Sequence, residues 1–196
     1  MNLSQPFSAV LMAGGRSERM GADKAALVLD GKPLWKRQLA KLRATGAEEV
    51  FISGHKDGPF SGAGVPIVED LTPGAGPLAG LQAALTHARN QWLLVLAVDL
   101  PDVPADFLSS LVGESMDTYV GLVPAHREWL QPLAAVYSRD CLPLVGECLA
   151  DENLSLRRFF RLASQQGFAG TRQISAAELE LFRNLNSPAD LEQPPA

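Results

Sequence analysis

Between Met12 and Lys24 the chain reads Met12-Ala13-Gly14-Gly15-Arg16-Ser17-Glu18-Arg19-Met20-Gly21-Ala22-Asp23-Lys24. Adjacent glycines let backbone amides approach a ligand closely, and a nest of amides suits phosphate oxygens. Arg16, Arg19 and Lys24 add three cations to the same loop, on a chain whose formal net charge is -5. Cations gathered locally on an acidic protein call for an anionic ligand. Asp99 is the second chemical feature. It ends the apolar run Trp92-Leu93-Leu94-Val95-Leu96-Ala97-Val98. A carboxylate at the end of a buried strand needs a partner, either a turn or helix cap ahead of Pro101–Pro104, or a cation.

Two phosphate-binding patterns fail in this loop. A P-loop requires Lys and then Ser or Thr directly after its second glycine, and Gly21 is followed by Ala22 and Asp23. The dinucleotide fingerprint G-x-G-x-x-G has no match there either.

The elements that must position these residues alternate between strand and helix. Phe7 to Ala13 reads as a buried strand stopped by Gly14-Gly15. A helix is predicted from Pro33 to Thr45, with Pro33 at its first position, Gly46 just past its end, and Trp35, Leu39 and Leu42 on one stripe. Val50–Ile52 and Val65–Val68 read as strands, and Pro77–Ala88 as a helix with Leu78, Leu81 and Leu85 inward. Trp92–Val98 shows no alternation and should be a central strand covered on both faces. That order predicts an α/β fold, a Rossmann-like three-layer sandwich whose mostly parallel sheet carries helices on both faces. Beyond Pro104 a helix is expected near Ala105–Val112, strands near Tyr119–Val123 and Leu133–Tyr137, and helices near Arg139–Ala150 and Ser155–Gln166. In such sheets the ligand lies beyond the carboxyl ends of the strands, where the glycine loop and Asp99 both fall.

The loop also carries a resemblance. Leu11 to Ser17, with Arg19-Met20-Gly21 and Asp23-Lys24, resembles the L-x-G-G-x-x-x-R-M-G-x-D-K signature of nucleotidyltransferases. It most resembles the molybdenum cofactor guanylyltransferase family, which transfers GMP from GTP to molybdopterin. Four further blocks match in order: Val68-Glu69-Asp70 with Gly76-Pro77-Leu78-Ala79-Gly80, Val98-Asp99-Leu100-Pro101, Gln131-Pro132-Leu133 with Tyr137, and Asn184-Leu185-Asn186-Ser187-Pro188. Together they span nearly the whole chain, read as one nucleotidyltransferase domain over residues 1–196. The chain departs at Met12, where the family usually has Leu, and at Ser53, where it often has Asn.

The resemblance implies a nucleotide site at Met12, Ala13, Gly14, Gly15, Lys24, Ser53, Asp70, Gly80 and Asp99. Lys24, Asp99 and Arg19 are the catalytic candidates. Lys24 would meet charge on the α-phosphate, Asp99 would hold magnesium, and Arg19 and Arg16 would hold the departing pyrophosphate. Magnesium commonly uses one or two carboxylates plus substrate phosphates. Asp102 could help hold the metal, but is expected first to cap the following helix. Asn184 and Asn186 share a face of an extended segment, and the resemblance brings both to the reacting phosphate; the other reading is a turn and cap before Ser187-Pro188. Asp70 reads as a guanine and ribose contact or a plain loop carboxylate, Arg16 as a phosphate contact or a solvated side chain, and Leu78–Gly80 as ligand-facing amides or a plain helix start. Arg157, Arg158 and Arg161 read first as the wet face of a helix, and second as a molybdopterin phosphate contact. Trp92 and Trp129 read as packing residues, the second in a loop that could also cover a pterin.

The implied partners are GTP and molybdopterin, with molybdenum-cofactor biosynthesis proteins or acceptor apoenzymes beyond them. Nearest rivals are a molybdopterin cytidylyltransferase, a sugar-phosphate nucleotidyltransferase and a non-catalytic nucleotide-binding protein. With 196 residues, 46% hydrophobic and 20% charged, the chain is long enough for a proper core and carries no broad basic surface for nucleic acid. The longest apolar run is too short for a membrane span, and the first residues lack a basic stretch followed by an apolar one, so a cytoplasmic protein is expected. Cys141 and Cys148 lie seven positions apart, roughly 10 Å along a helix and beyond the reach of a disulfide. His55, His87 and His126 show no metal-ligand spacing.

Overall fold

The computed structural model describes residues 5–14, 24–151, 154–185 and 190. In chain order the elements are β1 (Phe7–Met12), β2 (Val28–Leu29), β3 (Lys32–Pro33), α1 (Leu34–Ala44), β4 (Glu49–Ser53), β5 (Ile67–Val68), α2 (Pro77–His87), β6 (Trp92–Ala97), α3 (Ala105–Thr118), β7 (Gly121–His126), β8 (Trp129–Leu130), β9 (Ala134–Ser138), α4 (Leu142–Ala150), α5 (Leu156–Gln165), β10 (Ala169–Gln173) and α6 (Ala176–Leu179).

The main sheet runs β5-β4-β1-β6-β9. β1 pairs in parallel with β4 and β6, β4 pairs in parallel with β5, and β9 closes the far edge antiparallel to β6. β1 and β6 are buried along their whole length, as their unbroken apolar runs require. Alternate residues feed opposite faces. Ala9, Leu11, Ile52, Leu94 and Leu96 pack with Leu34, Leu39, Leu42, Leu108 and Leu111 of α1 and α3. Val10, Phe51, Leu93 and Val95 pack with Leu78, Leu81, Leu85, Val145 and Phe159 of α2, α4 and α5. The result is a Rossmann-like α/β sandwich of three layers, mostly parallel in its sheet.

A second sheet, β10-β7-β8, leans on β9. Gly121 makes this possible: a Cβ there would lie 2.7 Å from the Val136 carbonyl oxygen. β2 and β3 form a hairpin through Asp30 and Gly31, both at positive φ (50° and 74°), as a type I′ turn demands.

Some expectations need correction. Pro33 closes β3 and caps α1 from outside, rather than opening the helix. α3 continues past Val112 to Thr118, and Tyr119 ends it in the left-handed region, so β7 starts only at Gly121. β2, β3, β8, β10 and α6 were not expected. Cys141 and Cys148 are buried and unpaired. Among the described residues no helix is long and apolar enough to cross a membrane.

Candidate nucleotide-binding and transfer site

Register brings the strand ends together. Met12 stands opposite Ser53 on one side and Ala97 on the other, so β1, β4 and β6 end at one level. Backbone bonds stitch the emerging loops: Ala13 N–H donates to the Ser53 carbonyl (2.8 Å), Val98 N–H to Met12 (3.0 Å) and Gly54 N–H to Val68 (3.0 Å). The last of these brings Glu69 and Asp70 alongside β4.

Met12, Ser53, Asp70 and Gly80 meet at one point. A Cβ on Gly80, in the first turn of α2, would lie 2.6 Å from Met12 Cε, 3.0 Å from Ser53 Oγ and 3.5 Å from Asp70 Oδ1. Ser53 Oγ is buried and has no hydrogen-bond partner among the described residues. Burial pushes the Asp70 carboxyl up from the usual carboxylate range, against a downward pull from His55. Ala13 is buried and Gly14 exposed at the mouth of the loop. The α2 start at Gly76-Pro77 has no side-chain cap, so its first amides are not taken by one.

Lys24 and Asp99 form the second group. Lys24 opens a short 3-10 turn, Lys24–Ala26, and its Nζ lies 3.4 Å from Asp99 Oδ2. That separation is loose for an ion pair between side chains each about a quarter exposed (25% and 24%). The pair leaves the carboxylate accessible. Leu185 N–H donates to the Asp99 carbonyl (2.9 Å), which sets exposed Asn184 beside the turn.

Asp102 caps no helix. α3 follows Pro104 without a side-chain cap, and the Asp102 carboxylate instead receives Arg183 Nε at 3.3 Å. Gly15, Arg16, Arg19, Gly21 and Asn186 lie outside the described residues.

Sequence reading missed Gln38 and Lys41. Gln38 is wholly buried on α1, and its Nε2 donates to the carbonyls of Ala97 (3.2 Å) and Leu100 (2.7 Å). Lys41 Nζ donates to the Pro101 carbonyl. The available signal was a glutamine set among Trp35, Leu39 and Leu42, where an apolar residue belongs. Tyr137 accounts for its own place in the Gln131-Pro132-Leu133 block: its hydroxyl donates to the Pro132 carbonyl (2.9 Å), while Leu133 O accepts from Ala97 N–H (2.7 Å). That block therefore abuts the end of β6.

Other candidates resolve as packing or surface. Trp129 lies in β8 rather than a loop and stacks edge-on against Phe182 (5.3 Å), which meets Phe107 in turn (5.4 Å). Trp92 is buried in β6. On α5, Phe159 and Phe160 point inward. Arg157 and Arg161 are exposed, and Arg158 pairs with Asp151 at 2.6 Å. The three arginines and Ser155 line a cavity of about 440 Å³. Histidine Nδ1 of His126 meets the Ile174 carbonyl at 3.0 Å, and His87 stacks on Phe51 (4.6 Å).

The donor set near Asp99 fits magnesium in one respect. Among the described residues no three His, Cys, Asp or Glu side chains gather into a metal cage. One accessible carboxylate beyond the carboxyl ends of the strands is what an ion shared with substrate phosphates would need.

Residues 9–168 match the model of the MobA-like NTP transferase domain. A protein named "Probable molybdenum cofactor guanylyltransferase" from Pelotomaculum thermopropionicum is 36% identical over 183 residues, covering 93% of this chain and 88% of the relative. The molybdenum cofactor guanylyltransferase of Serratia proteamaculans is 31% identical over 193 residues, covering 96% and 93%. The crystal structure of molybdopterin-guanine dinucleotide biosynthesis protein A from Archaeoglobus fulgidus superposes with a TM-score of 0.76 at 22% identity, covering 94% and 95%. With the match running from within β1 to the residue before β10, and the strand ends, Lys24 and Asp99 all inside it, the chain belongs to the family of MobA-like NTP transferases.

Proposed function

We propose that this chain is a guanylyltransferase that moves GMP from GTP to the terminal phosphate of molybdopterin. The observation that carries this reading is the convergence of Met12, Ser53, Asp70 and Gly80 near the carboxyl ends of β1 and β4, with the Lys24–Asp99 pair beyond the end of β6, in a chain of the MobA-like NTP transferase family. The relatives named as guanylyltransferases support the choice of GTP and molybdopterin.

In this reaction a phosphate oxygen of molybdopterin attacks the α-phosphorus of GTP in line. The bond from that phosphorus to the bridging oxygen of the β-phosphate breaks, and pyrophosphate leaves with the electron pair. The attacking phosphate is already ionised, so no general base is required. Such transfers are driven by positioning and charge neutralisation. Lys24 supplies a point charge for the α-phosphate, and Arg19 and Arg16 hold the leaving pyrophosphate. Gly14 and Gly15 let backbone amides approach the phosphates. Asp99 would hold magnesium, which would supply positive charge against the charge that develops on the phosphates. Asn184 and Asn186 approach the reacting phosphate. The base sits among Met12, Ser53, Asp70 and Gly80. Guanine presents an N1–H and an exocyclic amine, two donors that a carboxylate such as Asp70 accepts together. Residues 1–196 act as one nucleotidyltransferase domain in the cytoplasm, upstream of cofactor-biosynthesis partners or acceptor apoenzymes.

The deciding experiment supplies GTP, CTP and ATP, each with magnesium, beside molybdopterin and a small set of sugar phosphates, and follows pyrophosphate and the dinucleotide product. Release with GTP and molybdopterin alone is expected. Equal use of CTP would move the assignment to another nucleotidyltransferase. Binding of GTP without release under any condition would leave a nucleotide-binding protein.

A further inference from the structure

The turn from Ala97 to Pro101 is held from outside to an unusual degree. Four of its carbonyls accept hydrogen bonds from groups elsewhere in the chain: Ala97 and Leu100 from Gln38, Pro101 from Lys41, and Asp99 from the Leu185 amide. Its own internal bond, Leu100 N–H to the Ala97 carbonyl, is long at 3.4 Å. The Asp99 side chain meets Lys24 only at 3.4 Å, so that contact does little to fix the carboxylate. Backbone position therefore decides where the carboxylate points.

Gln38 is the central donor. Both of its bonds start from one buried Nε2 and end on carbonyls either side of Asp99. It is 0% exposed, and its Oε1 has no hydrogen-bond partner among the described residues. A buried amide with one end unsatisfied lowers stability relative to an apolar residue of similar size. The core around α1 would accept a leucine or methionine at this position. What the glutamine adds is two donors aimed at the Asp99 turn. Lys41, three residues further along α1, lies on the same helix face and takes the next carbonyl.

We infer that Gln38 is a positioning residue for the transfer reaction, clamping the Ala97–Pro101 turn so that Asp99 presents its carboxylate to the metal that accompanies the nucleotide. The inference rests on the reading of Asp99 as the metal ligand. Partners that orient a ligating group without touching the metal typically change metal affinity by about ten- to a hundredfold.

The test compares wild type, Gln38→Met and Gln38→Leu, which fill the space without donating, with Asp99→Asn. Calorimetric titration measures binding of metal-free GTP and of Mn–GTP, manganese standing in for magnesium at an oxygen-ligand site. The readout is the ratio of the two affinities, together with the melting temperature. In the Gln38 variants the ratio should fall by about tenfold, with metal-free GTP binding and the melting temperature held or raised. Turnover should then need more magnesium and recover part of its rate when magnesium is in excess. A wild-type ratio in both variants overturns the clamp. So does a parallel fall in melting temperature and metal-free binding with the ratio intact, because that describes a residue the fold needs and the site does not. Failure of both variants to fold overturns it for the same reason. Asp99→Asn separates the two claims: if it keeps the wild-type ratio, the assignment of Asp99 fails, whatever the Gln38 variants do.

Discussion

Replacing Gly80 by alanine should weaken GTP binding while leaving the fold almost untouched. The new methyl would stand 2.6 Å from Met12 Cε, where carbon atoms rest at about 3.5–4.0 Å, so something must move by about 1 Å. Met12 Cε is the tip of a flexible side chain, and displacing it off its rotamer costs about 0.5–1.5 kcal/mol. Against this, alanine is worth up to about 0.5–1 kcal/mol over glycine within a helix, the full amount applying beyond the first turn. The two terms nearly cancel. At about 2–4 °C per kcal/mol for a chain of this size, the melting temperature should stay within about 3 °C of wild type. The ligand has no such compensation. The methyl enters the space between Ser53 Oγ, 3.0 Å away, and Asp70 Oδ1, 3.5 Å away, beside which the proposed function puts the base edge. Losing one hydrogen bond to a charged group there costs about 1.5–3 kcal/mol, a rise in the GTP KM of about ten- to a hundredfold. Thermal melts and steady-state kinetics on the purified variant read both quantities. An unchanged KM would refute the placement of the base. A melting point lowered by about 10 °C would refute the argument that the clash is soft.

Lys24→Ala should lower kcat by about 100-fold or more, since its charge matters most as the transition state forms; a raised KM at constant kcat would reduce it to a ground-state binder. GTP should be preferred to CTP by roughly a hundredfold in kcat/KM, because cytosine leaves buried polar groups unpaired at about 1–3 kcal/mol each. Asp70→Ala should damage GTP use more than residual CTP use, and equal damage would remove Asp70 from base selection. Burial, with Arg37 beside it, holds the Lys41 ammonium down at about 8 against an upward pull from Asp102. Between that value and the ordinary lysine range the unfolded chain binds a proton that the folded chain does not, so this group makes stability rise with pH. Burial acts oppositely at the Cys141 thiol, pushed up to about 12, and at the Tyr137 hydroxyl, also raised; both erode stability as the unfolded forms ionise. The difference between wild type and Lys41→Met in urea unfolding isolates the lysine: it should grow in favour of wild type from about pH 8 to 10, and a flat difference would contradict the buried charge.

Much of the fold is legible where burial is two-sided. β1 and β6 announce themselves as apolar runs without alternation, and the α1 stripe of Trp35, Leu39 and Leu42 names its buried face. β10 does not, because Ala-Gly-Thr-Arg-Gln buries only its first residue and owes its conformation to pairing with β7. The Asp30-Gly31 pair is a readable turn signal, and the two-residue strands it joins are too short to show a pattern of their own. At the candidate site, Lys24 and Asp99 stand out by residue type and position, and Met12, Ser53, Asp70 and Gly80 by resemblance; register explains why Met12 and Ser53 end level, and the packing of α2 brings Gly80 to them. Gln38 and Asp102 could not be read in the same way. The bonds of Gln38 reach 59 and 62 residues along the chain, and Asp102 finds Arg183 at a separation of 81. Such pairings depend on how helix, turn and late segment are brought into contact, which local pattern does not encode.

The bond from Leu185 to the Asp99 carbonyl also bears on the order of synthesis. A ribosome releases the glycine loop, β6 and the Asp99 turn long before residue 185, and domains generally begin folding from the amino end. A nascent chain can therefore bury most of both hydrophobic clusters of the main sheet while the turn still lacks one of its four outside hydrogen bonds. The late arrival of Phe182, Arg183 and Leu185 then fills the aromatic contact with Trp129, pairs Asp102 and completes the turn in one step. If Asp99 holds the metal as proposed, the last support of its turn arrives only with residue 185. A chain stopped just before Phe182 should keep the near-native far-ultraviolet circular dichroism of the sheet and its helices yet lose the distinction between metal-bound and metal-free GTP.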